Sequence, residues 1–350
     1  MKAETRSVWV AAAGCVLVAC GVQGGSLTPG GSPGPTMHTL EEIYQRLQTN
    51  EVRLAEMAQR LEAAGLGTLP AGMTLIPSGS FMMGATTNVG HEANSEELPQ
   101  HAVNVSAFYM DTCEVTKAQW DAVRTWAATN GYGDLPAGGG MAANHPVQTV
   151  NWYDAVKWCN ARGEREGLAA CYTVSGEVYR AGEVVPACDF RARGYRLPTE
   201  AEWEKAARGG AANRRFPWGD TSTIQHARAN YFSSATYTYD TSPTRGYHPI
   251  YGAGSLPYTS PAASFAPNGY GLYGMAGNVS EWCWDWYLYP YYGSSPGTDP
   301  VGAESGTSHV LRGGSWYNYV LFCRVAARSG YFPATRYDYI GFRGVLSSGR

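Results

Sequence analysis

The chain has 350 residues, with 26 Lys and Arg against 29 Asp and Glu and a formal net charge of -3. That balance offers neither a basic stripe nor an acidic tail, which excludes nucleic acid as a partner. With 43 Gly, 24 Tyr and 11 Trp, the composition points to a loop-rich fold held by aromatic packing, with few long helices.

Lys2 and Arg6 precede an apolar run at residues 8–19, which is too short to span a bilayer and reads as a secretory signal over residues 1–20. Its end, Leu17-Val18-Ala19-Cys20, has the pattern of a bacterial lipobox with Cys20 as the lipidated residue. Simple secretion, or lipidation at Cys15, is the alternative. Several acyl chains on one cysteine would anchor the protein stably in the cell envelope, at the outer membrane or cell surface. Residues 21–37, rich in Gly, Pro and Ser, read as a tether that lets the rest stand off from the membrane.

Residues 38–65 carry Leu40, Ile43, Leu47, Asn50, Leu54, Met57, Leu61 and Ala64 at alternating spacings of three and four. This is the seam of a coiled coil, with Asn50 as a register-fixing polar residue, and predicts a homo-oligomer through residues 40–64. A single amphipathic helix lying on the domain fits the same spacing. Residues 72–350 then form the globular part. Thr116 with Gln119, Asn151, and Thr199 with Glu202 open three helices, and Gly209 closes the last. Short strands are expected at residues 80–83 and 102–108.

Export places Cys113, Cys159, Cys171, Cys188, Cys283 and Cys323 in an oxidising compartment. No CxxC or Cys/His zinc spacing is present, so disulfides are expected. The favoured pairs are Cys171 with Cys188, closing one short loop, and Cys283 with Cys323.

Several motifs follow in one order: MTLIPSGSFMMG (73–84), EVTKAQ (114–119), HPVQTVNWYDA (145–155), GYRLPTEAEWEKAARGG (194–210), FPWG (216–219), NGYGLYGMAGNVSEW (268–282), RGGSW (312–316) and GFR (341–343). In them the chain resembles the formylglycine-generating enzyme, or sulfatase-modifying factor, family. The resemblance implies an α+β, C-type-lectin-like fold of low regular secondary structure, here preceded by the coiled-coil helix. His145, Trp203 and Asp285, with RGGSW and GFR, read as framework.

The family's enzymes oxidise a substrate cysteine and carry two copper-binding cysteines shortly after the GGS motif. Here only Cys323 follows Ser315 in that stretch, so a two-thiolate copper site is not expected. The enzymes also bind calcium through loop oxygens. The matching positions are Asn230 with the Tyr231 carbonyl, and Gly277, Val279 and Glu281, although Gly274 stands where the second site usually offers an amide or carboxylate.

Residues 316–340 resemble something further, the rewritten segment of variable lipoproteins of diversity-generating retroelements. Adenine-directed mutagenesis of AAC codons yields codons of the form NNC, which never encode Lys, Glu, Gln, Met or Trp. Tyr317, Asn318, Tyr319, Leu321, Phe322, Ser329, Tyr331, Phe332, Thr335, Tyr337, Asp338 and Tyr339 all lie in the permitted set, as do Val320, Gly330, Ala327 and Ala334. Trp316, Arg324, Arg328, Pro333, Arg336 and Gly341 would be the unvarying scaffold. Tyrosine offers a large contact area, a hydroxyl and only two torsions to freeze, which suits a binding face. The expected ligand is a protein or glycan, with a coiled-coil stalk adding multivalency. Three alternatives remain: these aromatics fill the core, the chain is a formylglycine-generating oxidoreductase, or it is a structural envelope lipoprotein.

Overall fold

The computed structural model describes residues 70–85 and 93–348. The expected signal peptide, Cys20, the tether and the coiled-coil seam lie outside the described residues.

Three helices stand where their caps predict, α1 (Lys117–Ala127), α2 (Trp152–Arg165) and α3 (Glu200–Ala207). Each opens with a reciprocal capping box: Thr116 with Gln119, Asn151 with Asp154, and Thr199 with Glu202. The third of these keeps α3 stable within a mere eight residues, because two otherwise orphaned backbone donors are satisfied locally.

Among the described residues, thirteen strands, none longer than seven residues, make up the β part. They are β1 (Met73–Ile76), β2 (Gly79–Met83), β3 (His101–Val105), β4 (Phe108–Asp111), β5 (Tyr172–Val174), β6 (Glu177–Val178), β7 (Ala187–Cys188) and β8 (Tyr195–Arg196). The remainder are β9 (Ser280–Trp286), β10 (His309–Arg312), β11 (Ser329–Tyr331), β12 (Ile340–Gly341) and β13 (Val345–Ser347). One sheet runs β1-β4-β13-β8 and a second runs β11-β10-β9-β12, with a β2-β3 pair and a small β6-β5-β7 sheet beside them. RGGSW therefore begins at the end of β10, and GFR at β12, which joins β9 in parallel.

The expected single strand at 102–108 divides instead into β3 and β4. The break falls at Ser106, whose backbone N–H and hydroxyl both donate to Asp299, each at 2.7 Å. An acceptor from a distant loop thereby replaces a ladder bond.

Three apolar clusters fill the interior. The first lies around Trp120, Trp152, Trp158 and Trp282, the second around Met110, Trp203 and Cys283, and the third around Phe216, Tyr231, Val320 and Cys323. All six described cysteines are free, so neither expected disulfide is formed. Tyr172 rather than Cys171 sits opposite Cys188 in the ladder, and side chains one position apart leave a strand on opposite faces. Cys283 and Cys323 are held in different clusters.

Candidate functional site: a pinned segment with an aromatic face

Between β10 and β12 the chain makes only a four-residue 3-10 turn, Val320–Cys323, and β11. What fixes so irregular a path is a series of arginines, each bound to carboxylates far away in sequence. Arg312 reaches Glu204. Arg324 grips Glu97, with Nη1 donating to Oε2 at 2.7 Å, and Arg328 grips Glu200 through Nε and Nη2 at 2.6 and 2.7 Å. Arg336 donates to Asp154 at 2.9 Å and Glu183 at 3.0 Å. Arg343 holds Glu281 in a fork with both contacts at 2.7 Å.

Except at Arg336, both members of each pair are buried. Charges that deep are stable only when paired and hydrogen-bonded in good geometry. Burial pushes the Glu97 carboxyl up, and the Arg324 guanidinium against it pulls the other way. On Glu204 the arginines 208 and 312 prevail over burial and hold the carboxyl low. Asp285, pushed well up by burial and by the Glu200 charge, accepts from the Glu200 backbone N–H at 2.8 Å. It is framework, as expected, and so is His145, whose Nδ1 lies 2.9 Å from the Thr259 hydroxyl.

Burial then separates most of the segment into two groups. Residues 311–316 and 323–328 are buried without exception, as is Val320. Tyr317, Asn318, Tyr319, Leu321, Phe322, Ser329, Tyr331, Phe332, Thr335, Tyr337, Asp338 and Tyr339 are all exposed or half-exposed. Phe332 is 65% exposed and Tyr317 53%. Of the scaffold residues, Trp316, Arg324, Arg328 and Gly341 are buried, whereas Pro333 is half-exposed and Arg336 is exposed. Val320 and Ala327 belong with the buried group, since Val320 packs in the third cluster and Ala327 is 3% exposed.

The exposed rings form an ordered array. Tyr339 stacks on Tyr317 (centroids 5.1 Å apart, planes 14° apart) and on Tyr337 (5.0 Å, 10°). Tyr331 meets Tyr337 edge-on at 5.5 Å, and its hydroxyl is 3.4 Å from that of Tyr339. Offset and edge-on pairs of this kind add to simple area burial.

Phe232, Tyr237, Tyr247 and Tyr258 join this array, a contribution absent from the sequence reading. Tyr247 and Tyr258 lie 5.8 and 5.2 Å from Trp316, Phe232 meets Tyr319 edge-on at 5.2 Å, and Tyr237 lies 6.2 Å from Tyr319. The backbone ties the two stretches together, as Phe232 N–H donates to the Asn318 carbonyl at 2.9 Å. The nearest sequence signal was the density of Tyr and Phe at 231–258.

Under the segment lies a cavity of about 80 Å³ lined by Ser280, Gly314, Asn318, Phe322, Tyr331 and Tyr339 among others. This is well below the several hundred Å³ typical of small-molecule sites. A larger cavity, about 620 Å³, lies elsewhere, between Trp218, Arg228, Phe265 and Met275, and touches no residue of the segment.

The residues do not fit copper. Cys323 is fully buried in an apolar cluster, and burial pushes its thiol up, whereas copper takes exposed thiolates in pairs. The expected calcium donors fare unevenly. The Glu281 carboxylate is taken by Arg343 and by Trp203 Nε1 at 2.8 Å, and the Tyr231 carbonyl lies 3.2 Å from His226 Nε2. Gly277 is pressed so closely on Asn230 that a Cβ there would stand 2.3 Å from the Asn230 carbonyl oxygen. Val279 is wholly buried. Of the expected donors, Asn230 Oδ1 is buried without a hydrogen-bond partner. Where Gly274 lacks a side chain, the Glu114 carboxylate fills the space. Of the second expected set, the Glu281 carboxylate is already engaged by Arg343 and Trp203. Among the described residues, no group of three or more His, Cys, Asp or Glu is arranged to hold a metal ion.

Capped short helices, two small mixed-order sheets and long pinned loops define a domain of the formylglycine-generating-enzyme type. The model of the sulfatase-modifying factor enzyme 1-like domain matches residues 60–348, and the chain belongs to that family. It is 36% identical over 289 residues to the formylglycine-generating enzyme of Streptomyces coelicolor, covering 78% of this chain and 88% of that protein. It is 32% identical over 311 residues to the Bos taurus enzyme, covering 81% and 78%. Among solved structures, Treponema denticola variable protein 1 superposes with a TM-score of 0.60 at 30% identity, covering 81% of this chain and 97% of that one.

Proposed function

We propose that this protein is a surface-displayed binding protein whose residues 317–339 form a diversified ligand face, as in variable proteins of diversity-generating retroelements. The observation that carries the reading is the burial division. Every aromatic and polar position assigned to ligand contact is accessible, while Arg324 and Arg328 between them are sunk into carboxylate pairs. Rigid tyrosines on an independently fixed backbone are what a diversified binding surface needs. The likeness to Treponema denticola variable protein 1 supports it. In this reading Cys20 carries the lipid anchor in the cell envelope, residues 40–64 oligomerise the stalk, and a protein or glycan is bound with no chemistry performed.

The test is to sequence this gene from sibling isolates, together with the DNA downstream. The expected result is a near-repeat of codons 312–343 with AAC codons beside a reverse-transcriptase gene, and differences confined to the accessible positions. An invariant segment without a template would return the rings to structural packing.

The second reading, a formylglycine-generating oxidoreductase, is favoured by the similarity to the Streptomyces coelicolor enzyme. It is tested by incubating the protein and copper with a cysteine-containing sulfatase peptide. The expected result is no aldehyde, and aldehyde formation would establish the enzyme.

A further inference from the structure

A further cavity, of about 420 Å³, is lined by no residue of the segment 317–339 and falls in the size range of small-molecule sites. Its apolar wall is Val105, Phe108, Phe190 and Val301, and its charged wall is Arg191, Arg196, Glu202 and Asp299. Arg196 ends β8 and Glu202 lies in the first turn of α3, so the capped start of that helix brings the carboxylate back onto the guanidinium. Nη1 donates to Glu202 Oε2 at 2.7 Å and Nη2 to Oε1 at 2.6 Å, with the guanidinium carbon 5.2 Å from the Phe190 ring centre.

That fork uses the two outer nitrogens and leaves the third. Arg196 is 4% exposed, and its Nε is buried with no hydrogen-bond partner. A buried donor on a charged group is costly to leave unmet, so this wall is complete only with an acceptor. The carboxylates on it are engaged. Glu202 takes the fork and the Thr199 N–H at 2.8 Å, and Asp299 takes the Ser106 N–H and hydroxyl. The cations are in excess. The exposed Arg191 guanidinium makes no ion pair among the described residues, and Lys205 adds a positive charge where its Nζ donates to the Val105 carbonyl at 3.2 Å.

These observations select the class of ligand. A neutral polyol would need the engaged carboxylates as acceptors for its hydroxyls, whereas an anion needs only donors, and a guanidinium is well matched to a carboxylate. Inorganic phosphate would leave the apolar wall without a contact. We infer that this cavity is a second ligand site, independent of the binding-face reading, and that it takes a small organic carboxylate. The head accepts from Arg196 Nε–H and the Arg191 guanidinium, and the apolar body lies on Phe108, Phe190 and Val301.

The experiment titrates the full chain at neutral pH, by calorimetry, with phenylacetate, phenylpropionate and octanoate, then with their amides and with inorganic phosphate. At least one carboxylate should bind, at least tenfold more tightly than its amide or phosphate. Arg191→Gln, a change at an exposed side chain, should weaken that carboxylate at least fivefold and leave the melting temperature of the free protein unchanged. In protein labelled on arginine nitrogen, the Arg196 Nε–H resonance should shift progressively over the same titration. Binding by none of the three carboxylates would overturn the site. Amide or phosphate binding as tightly would overturn the ligand class. Binding that neither weakens in Arg191→Gln nor moves the Arg196 resonance would overturn the assignment to this cavity.

Discussion

Arg324→Ala is the sharpest test of the division between pins and face. Its guanidinium and Glu97 are 2% and 0% exposed and meet in a bidentate fork. Removing one member of such a pair leaves a buried, uncompensated charge, which costs about 3–5 kcal/mol. For a domain of this size that corresponds to a melting temperature lower by roughly 10 °C. The loss has a pH signature. Arg324 is the main influence pulling Glu97 down against burial, so in the variant the folded-state value rises further above its ordinary 4.5. A carboxyl raised on folding destabilises above its folded pKa and ceases to do so below its unfolded one. The deficit of Arg324→Ala should therefore be largest near neutrality and shrink as pH falls towards 4.5. Phe332→Ser, at the most exposed ring of the segment, should change stability by no more than about 0.5 kcal/mol. Urea unfolding of both variants from pH 4.5 to 8 is the assay. Equal losses in the two, or a pH-independent deficit in Arg324→Ala, would refute the reasoning.

Burial raises the Glu114 carboxyl to about 7, so the wild type should lose stability as pH rises from 4.5 to 7, by about 3 kcal/mol in all. Glu114→Gln should flatten that slope in the same unfolding series. At Gly277, where φ is +80° and a Cβ would meet the Asn230 carbonyl, substitution by Ala should cost about 1–3 kcal/mol or more, read as a shift in the urea midpoint. Thiol labelling under native, non-reducing conditions should leave the buried Cys283 and Cys323 unmodified, and labelling in denaturant without reductant should modify both. Failure to label them in denaturant would show that they are bonded.

The three helices were legible because capping is local: Thr116, Asn151 and Thr199 announce themselves within four residues. The accessible positions were reached through the resemblance to a variable segment and its permitted residue set, which does not separate them from the buried Val320 and Ala327. The carboxylate partners were not, because Glu97, Glu200 and Glu204 lie more than 100 residues from the arginines they hold, and no sequence period links them. The rings outside the segment escaped for the same reason, since Phe232 and Tyr319 are joined by a bridge between distant loops. The disulfide expectation missed the ladder register at Cys188 and the separate clusters that hold Cys283 and Cys323, neither of which a cysteine count reveals.

The arginine pins also bear on how such a chain can change through generations. Each draws its counter-charge from outside the segment, so an altered side chain at Tyr317 or Tyr337 needs no compensating change elsewhere. The backbone path between neighbouring pins is set before any particular face is written on it. On the binding-face proposal, one ligand could thus be exchanged for another by changes confined to the accessible positions, with the buried ion pairs left as they are.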